Sequence, residues 1–311
     1  MKNQKVAIIG GGICGLYLAW KLSEKGYKVI LFEKNKKIGK EACSGLFSKR
    51  ILDFIPESKK LIQNQIEYAL LHFPKKTIRI DFSANFYVME HARLDRLVLS
   101  LAQKNGTKII LNKKIDYFPT GFERIIGCDG AASKVRRLLK LKNPELRLGI
   151  QGFVPGRESS GFVETWPTEY GFLWKIPRAN EIEYGIIEKK DRAKEIFDNF
   201  LAKKKINLRK INSALIPQGF IIPFNSKVTL CGDSAGLTKP WSGGGVIWGL
   251  KAADILLKNF PDFLKYRKEL KKFFLPKIIF SKITTKLAYF FGFKAPYFLP
   301  KNIKIESDFL L

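Results

Sequence analysis

An α/β fold, in which a parallel-sheet domain is interrupted by an antiparallel-sheet domain, is predicted for this 311-residue chain. Three observations carry that expectation. The sequence opens on a short apolar run, a glycine turn and a helical stretch, the usual start of a parallel strand-helix-strand unit. Long middle stretches alternate apolar and polar residues with a period of two, as on a half-exposed antiparallel sheet. A buried-type strand followed by a glycine-rich turn and a helix returns near residue 230, so the first domain resumes after the insertion.

Taken in order, Val6 to Ile9 forms the first strand, Gly10 to Gly15 the turn, and Leu16 to Lys25 a helix stopped by Gly26. Tyr27 to Phe32 is the second strand, ending at Glu33. Tyr68 to Val88 is strand-like, most clearly in Thr77-Ile78-Arg79-Ile80-Asp81-Phe82. His91 to Lys104 is helical, Lys108 to Leu111 and Arg124 to Gly127 are strands, and Ser133 to Lys140 is a basic helix. Further strands fall between Arg147 and Glu188, then a helix from Asp191 to Lys205. Lys227 to Cys231 is a buried strand feeding a helix from Gly244 to Lys258. The expected division is 1–65, 90–140 and 225–260 for the first domain, 66–89 and 141–224 for the inserted domain, and 261–311 for a basic, aromatic helical segment.

Composition narrows the function classes. Hydrophobic residues make up 46% of the chain, with 25 Phe, 10 Tyr and 5 Trp, ample core material that argues against disorder. Against 28 acidic residues stand 56 basic ones, a net charge of +28 that favours anionic partners such as phosphates or acidic lipid headgroups, unless it is a plain lysine bias. Cys14, Cys43, Cys128 and Cys231 occur singly beside only two histidines, which suits neither a zinc site nor a disulfide framework. With no apolar run approaching a membrane span, and an N-terminal apolar run broken by three glycines, a cytoplasmic protein is expected.

Gly10-Gly11-Gly12-Ile13-Cys14-Gly15 fits G-x-G-x-x-G directly after a strand and opening a helix. Those glycines allow a tight turn, close approach of a pyrophosphate to backbone N–H groups, and close helix–strand packing, the fingerprint of a Rossmann-like dinucleotide site. Glu33 stands at the offset where a carboxylate accepts hydrogen bonds from an adenosine ribose. FAD and NAD share this fingerprint, so the far end of the chain decides between them. There, Gly232-Asp233-Ser234-Ala235-Gly236 is followed by Pro240, Trp241, Ser242, Gly243, Gly244, Gly245 and Val246. Asp233 suits ribityl hydroxyls, and a helix N-terminus at Gly244 to Val246 suits negative charge on a reduced flavin ring. FAD is therefore the expected cofactor.

These segments, together with Gly127-Cys128-Asp129-Gly130-Ala131-Ala132-Ser133-Lys134-Val135-Arg136, resemble the para-hydroxybenzoate hydroxylase class of flavoproteins. Within it, Cys43-Ser44-Gly45 and Tyr170-Gly171-Phe172-Leu173-Trp174-Lys175-Ile176-Pro177 are similar to motifs of the geranylgeranyl reductase family, which includes archaeal digeranylgeranylglycerophospholipid reductases. The resemblance runs from Val6 to about Leu257. It implies a Rossmann-like FAD-binding domain with an inserted antiparallel-sheet substrate domain, and reduction of C=C bonds in a prenyl-lipid substrate. It also implies that Cys43 lies near the flavin ring as a catalytic proton donor, with Ser44 and Gly45 as cofactor contacts. Cys14 and Lys34 join the cofactor-binding set with Gly10, Gly12, Gly15 and Glu33. Met89 to Asp95 resembles the family's Arg-x-x-Phe-Asp segment, but His91 stands in place of the Arg, so either Arg93 substitutes as the cofactor contact or that contact is lost. Tyr170, Phe172 and Trp174, alternating on a strand, and Trp241 are the expected substrate walls.

No second nucleotide fingerprint identifies the electron donor, which leaves ferredoxin, a reduced deazaflavin or NAD(P)H. Phe260 to Leu299 interleaves aromatic residues with lysines, a composition suited to peripheral contact with an anionic membrane or to a helix pair over the sheet. Nucleic acid is not expected, because no recognition motif accompanies the charge. Two rival readings are a flavin monooxygenase or halogenase, whose Trp-x-Ile-Pro element Trp174 to Pro177 also resembles, and a non-catalytic prenyl-lipid carrier.

Overall fold

The computed structural model describes residues 4–306 and 308–309. In chain order, β1 (Lys5–Ile9), α1 (Ile13–Glu24) and β2 (Lys28–Phe32) are followed by β3 (Leu46–Ser48), α2 (Ile51–Phe54), β4 (Ile62–Phe73), β5 (Lys76–Met89) and α3 (His91–Lys104). Next come β6 (Lys108–Ile110), β7 (Arg124–Gly127), α4 (Lys134–Leu138), β8 (Glu145–Pro155), β9 (Phe162–Pro167), β10 (Phe172–Pro177) and β11 (Glu181–Lys189). The chain continues with α5 (Ala193–Lys204), β12 (Arg209–Gln218), β13 (Val228–Leu230), α6 (Val246–Asn259), α7 (Phe263–Lys294) and β14 (Asn302–Ile305).

Two sheets result. The parallel sheet has the order β13-β7-β1-β2-β6, with Ile8 of β1 between Leu31 of β2 and Ile126 of β7. Its central strand is apolar almost throughout because both faces are covered, and Val6, Ala7 and Ile8 are wholly buried. The second sheet runs β12-β8-β11-β10-β9-β4-β5-β14, with β3 also paired to β5. It is antiparallel except where β4 meets β9 and β5 meets β14. One face packs Leu173 and Ile186 against Ala193 and Phe197 of α5. The opposite face gathers Ile66, Phe86, Val163, Trp174 and Ile187 into a separate apolar cluster, and this face turns toward the site.

Most predicted elements recur within a few residues, and α3 and β7 recur with the same bounds. Two regions depart from expectation. The second sheet begins earlier than the expected boundary, at β3 and β4, because Leu46 and Phe47 pair with Val88 and Tyr87 of β5. The tail contains one long helix and then a strand, with Ile303 of β14 lying beside Ile80 of β5. The first half of α7 buries Phe263, Tyr266, Leu270, Phe274 and Ile278 at helical spacing against the parallel-sheet core. Past Pro276 it crosses the second sheet, where Gly292 lies so close to Phe73 that a Cβ would come within 2.1 Å of the ring.

Candidate functional site

At the end of β1 the chain turns through Gly10, whose φ of +109° places it in the left-handed region, and its N–H donates to the Phe32 carbonyl at 2.8 Å. A Cβ on Gly10 would lie 2.3 Å from the Cys128 carbonyl, and one on Gly15 would lie 2.0 Å from the Gly10 carbonyl. Those two glycines let strand, helix and the Cys128 segment close together. Gly12 differs, since nothing stands within 4 Å of its ideal Cβ and it faces a cavity. It is the N-cap of α1, makes no side-chain cap, and is followed by a first turn without an acidic residue. The backbone amides there are therefore free for an anion. Buried Glu33 accepts from Gly11 N–H at 2.7 Å and Asn35 N–H at 2.8 Å, and each carboxylate oxygen retains acceptor capacity toward the cavity.

The second glycine segment meets the first. Asp233 lies in a tight turn, Gly232–Ala235, after β13, and a Cβ on Gly245 would come within 2.7 Å of its Oδ1. A Cβ on Gly232 or Gly249 would meet Cys14 Sγ at 2.7 or 2.4 Å, so α1 and α6 approach each other where only small residues fit. Buried Arg136 locks this arrangement, donating to the Ser234 carbonyl at 2.8 Å and the Ala131 carbonyl at 2.6 Å. Gly10, Gly12, Cys14, Glu33, Lys34, Asp233, Gly244, Gly245 and Val246 all line one cavity of about 1060 Å³. An open anion cradle, a buried carboxylate beside it and a carboxylate at the N-terminus of α6 fit the pyrophosphate, ribose and ribityl-flavin portions of FAD. NAD would leave the second set without a partner.

Cys43 and Ser44 line the same cavity, and buried ionisable groups cluster around Cys43. His91 is buried beside Cys43, and its Nε2 stands 3.3 Å from Asp95 Oδ1, one helical turn along α3. Asp95 is also buried, and its Oδ2 accepts the Lys40 N–H at 2.9 Å. Burial raises the Cys43 thiol, but the charges of His91 and Lys40 outweigh it and hold the thiol below its ordinary value. Burial lowers His91, yet Asp95 and Cys43 more than offset this and push it up to about 10. Lys40 is raised, chiefly by Asp233, whose Oδ2 lies 3.6 Å from its Nζ. Lys40 thus links Cys43 to the flavin-side carboxylate.

The loop carrying Cys43 is pinned from the second sheet. Gln151 of β8 donates to the Cys43 carbonyl at 3.2 Å, and Arg178 donates to the Ser44 carbonyl at 2.6 Å. Arg178 pairs with buried Glu183, which accepts the Trp174 indole N–H at 2.8 Å. Phe172 and Trp174 share the cavity-facing side of β10, with ring centroids 6.0 Å apart, and Trp241 lines the cavity too. Beyond them the lining turns apolar, through Ala69, Phe82, Phe86 and Val163 of the second sheet.

Four expected residues lie elsewhere. Arg93 does not reach the cavity, because two residues along a helix rotate it away from His91, and it pairs with Glu90 at 2.8 Å in solvent. Tyr170 precedes β10 and does not share the face of Phe172 and Trp174; its ring is covered by Lys189 at 3.3 Å. Gly15 and Gly45 are packing residues outside the lining, Gly45 at φ +63° with the Met89 carbonyl 1.9 Å from where a Cβ would lie. Asp95 was legible as the residue four after His91 on one helix face. Gln151 carries no comparable local signal.

Comparison with known proteins agrees with this geometry. Residues 8–53 match the model of an NAD(P)-binding Rossmann-like domain. A digeranylgeranylglycerophospholipid reductase of Methanococcus vannielii is 24% identical over 92% of this chain and 88% of its own length. A geranylgeranyl bacteriochlorophyll reductase-like protein from Thermoplasma acidophilum superposes with a TM-score of 0.79 at 19% identity, covering 91% of this chain and 87% of that one. The myxobacterial chondrochloren halogenase, an FAD-dependent halogenase, shares the fold with a TM-score of 0.71 at 15% identity, covering 93% and 82%. In fold and cofactor site the chain is similar to FAD-dependent oxidoreductases, and it resembles the geranylgeranyl reductases.

Proposed function

We propose that this chain saturates isolated C=C bonds in the prenyl chain of an isoprenoid lipid. The carrying observation is that Cys43, its thiol acidified by His91 and Lys40, faces one cavity that has the glycine cradle at one end and an apolar slot at the other. Bound FAD supplies the hydride, after reduction by ferredoxin, a reduced deazaflavin or NAD(P)H. The protein's part is to hold the alkene in a dry slot and to protonate its other carbon. An unactivated alkene is a poor acceptor, so position and timely protonation decide the rate. A thiol whose anion is stabilised by His91 and Lys40 is a stronger acid than an ordinary cysteine. Asp95 keeps the imidazolium in place to replace the proton that Cys43 gives up. The names of the similar reductases support the substrate class.

Mass spectrometry of geranylgeranyl lipids incubated with the dithionite-reduced protein tests the proposal. Mass gains of two hydrogens per bond are expected, and Cys43→Ser should keep the bound flavin but slow saturation by about 10²- to 10⁴-fold. Oxygen- and halide-dependent products with no saturated lipid would favour the halogenase reading, and unchanged turnover in the variant would remove Cys43 from the reaction.

A further inference from the structure

The second half of α7 carries its large apolar side chains on the wrong side for a helix in water. Ile279, Phe280, Ile283, Leu287, Phe290 and Phe293 are exposed and recur at helical spacing, forming one stripe along the outer face. After the helix, Tyr297 is 88% and Phe298 81% exposed, extending the apolar surface. The inner face is small or polar instead. Thr284, Thr285, Ala288 and Tyr289 line the cavity, and Gly292 rests on Phe73. Lys282, Lys286 and Lys294 lie exposed beside the stripe, and none of the three forms an ion pair among the described residues. An ordinary monomer surface has no reason to show a continuous stripe of this kind.

We infer that the outer face of α7 from Ile279 to Phe293, with Tyr297 and Phe298, is a docking surface for an anionic lipid bilayer. Exposed apolar residues flanked by lysines are the pattern of a helix lying in the plane of a membrane interface, apolar side chains dipping in and ammonium groups meeting phosphates. The chain's net charge of +28 draws it to the same kind of surface. No helix among the described residues is long and apolar enough to cross a membrane, so α7 lies on the bilayer. A single helix then separates the bilayer from the apolar cavity, its outer face on lipid and its inner face on the slot. The docking rests on the surface alone; its use, delivery of a prenyl chain from the bilayer, rests on the proposed reaction.

Flotation of the full-length holoprotein with phosphatidylglycerol or phosphatidylcholine vesicles tests it. Binding is expected to phosphatidylglycerol, to fall steeply with added salt, and to weaken by at least about 100-fold when Lys282, Lys286 and Lys294 are changed to Glu. Ile283→Glu/Leu287→Glu/Phe290→Glu should also abolish flotation while keeping the bound flavin and the melting temperature, which shows that the fold survives. Equal flotation with both lipids, or none, would overturn the assignment. So would a lipid-free dimer in sedimentation that the triple Glu variant dissociates, because a second copy would then own the stripe. Flotation needs no turnover, so a protein that binds vesicles but leaves prenyl chains unsaturated would refute the proposed reaction and leave the docking surface standing.

Discussion

Four cysteines, each standing alone in the sequence, divide in the structure by their neighbours. Cys43 faces His91 and Lys40, whose charges lower its pKa against the opposing effect of burial. Cys14, Cys128 and Cys231 cluster where α1, β7 and β13 meet. Cys14 is pushed well up, first by its hydrogen bond with Cys231 and then by burial, and Cys231 is pushed up by its bond with Cys128. Cys128 is raised too, since burial and Cys14 outweigh the lowering from its contact with Cys231. At neutral pH, iodoacetamide should therefore alkylate Cys43 first, read by peptide mass spectrometry. His91→Ala should slow that labelling roughly tenfold for each unit by which the thiol pKa rises; equal labelling of all four cysteines would refute the assignment. His91 also has a pH consequence. Its raised pKa stabilises the folded state fully below about 6.5, and that contribution is lost as pH rises through about 10. The melting-temperature difference between wild type and His91→Ala should shrink over that range.

At the scale of elements, the strand-turn-helix unit at the N-terminus does two jobs with chemically identical residues. Gly10 and Gly15 are required by close backbone approach, whereas Gly12 keeps space open for a ligand. Gly12→Val should therefore leave the melting temperature of the apoprotein nearly unchanged and abolish flavin binding, measured by flavin absorbance after gel filtration. Gly15→Val should unfold the protein outright, because its Cβ would enter the Gly10 carbonyl. A Gly12→Val protein that retains flavin would contradict the cradle. The unit was readable in the sequence because apolar runs, glycine spacing and the acid at Glu33 are local signals. Arg93 was misplaced because motif spacing alone ignores the 100° turn per helical residue, which favours His91 and Asp95 on one face. Tyr170 was misplaced because alternation cannot show where a strand begins. The pairing of β14 with β5, and the hydrogen bond from Arg178 to the Ser44 carbonyl, join residues far apart in the chain and leave no local trace.

Viewed as a whole, the molecule places two sheets around one cavity and closes it with a helix that belongs to both. The first half of α7 completes the core of the parallel-sheet domain, and the second half roofs the apolar face of the other sheet, tied down by the Tyr289 hydroxyl donating to the Gly171 carbonyl at 2.7 Å. The tail returns across this junction, where Asp308 accepts from Lys239 at 2.6 Å and from Arg50 at 3.0 Å, and its carbonyl accepts the Trp248 indole N–H at 2.8 Å. Cofactor cradle, acidified thiol and apolar slot thereby line one cavity, the arrangement that the proposed transfer to an unactivated alkene demands. The most direct measurement is anaerobic single-turnover spectroscopy of the fully reduced holoprotein mixed with a geranylgeranyl lipid. Reappearance of oxidised flavin absorbance, one flavin for each bond saturated and slowed in Cys43→Ser, is the predicted result; flavin that stays reduced until oxygen is admitted would contradict it.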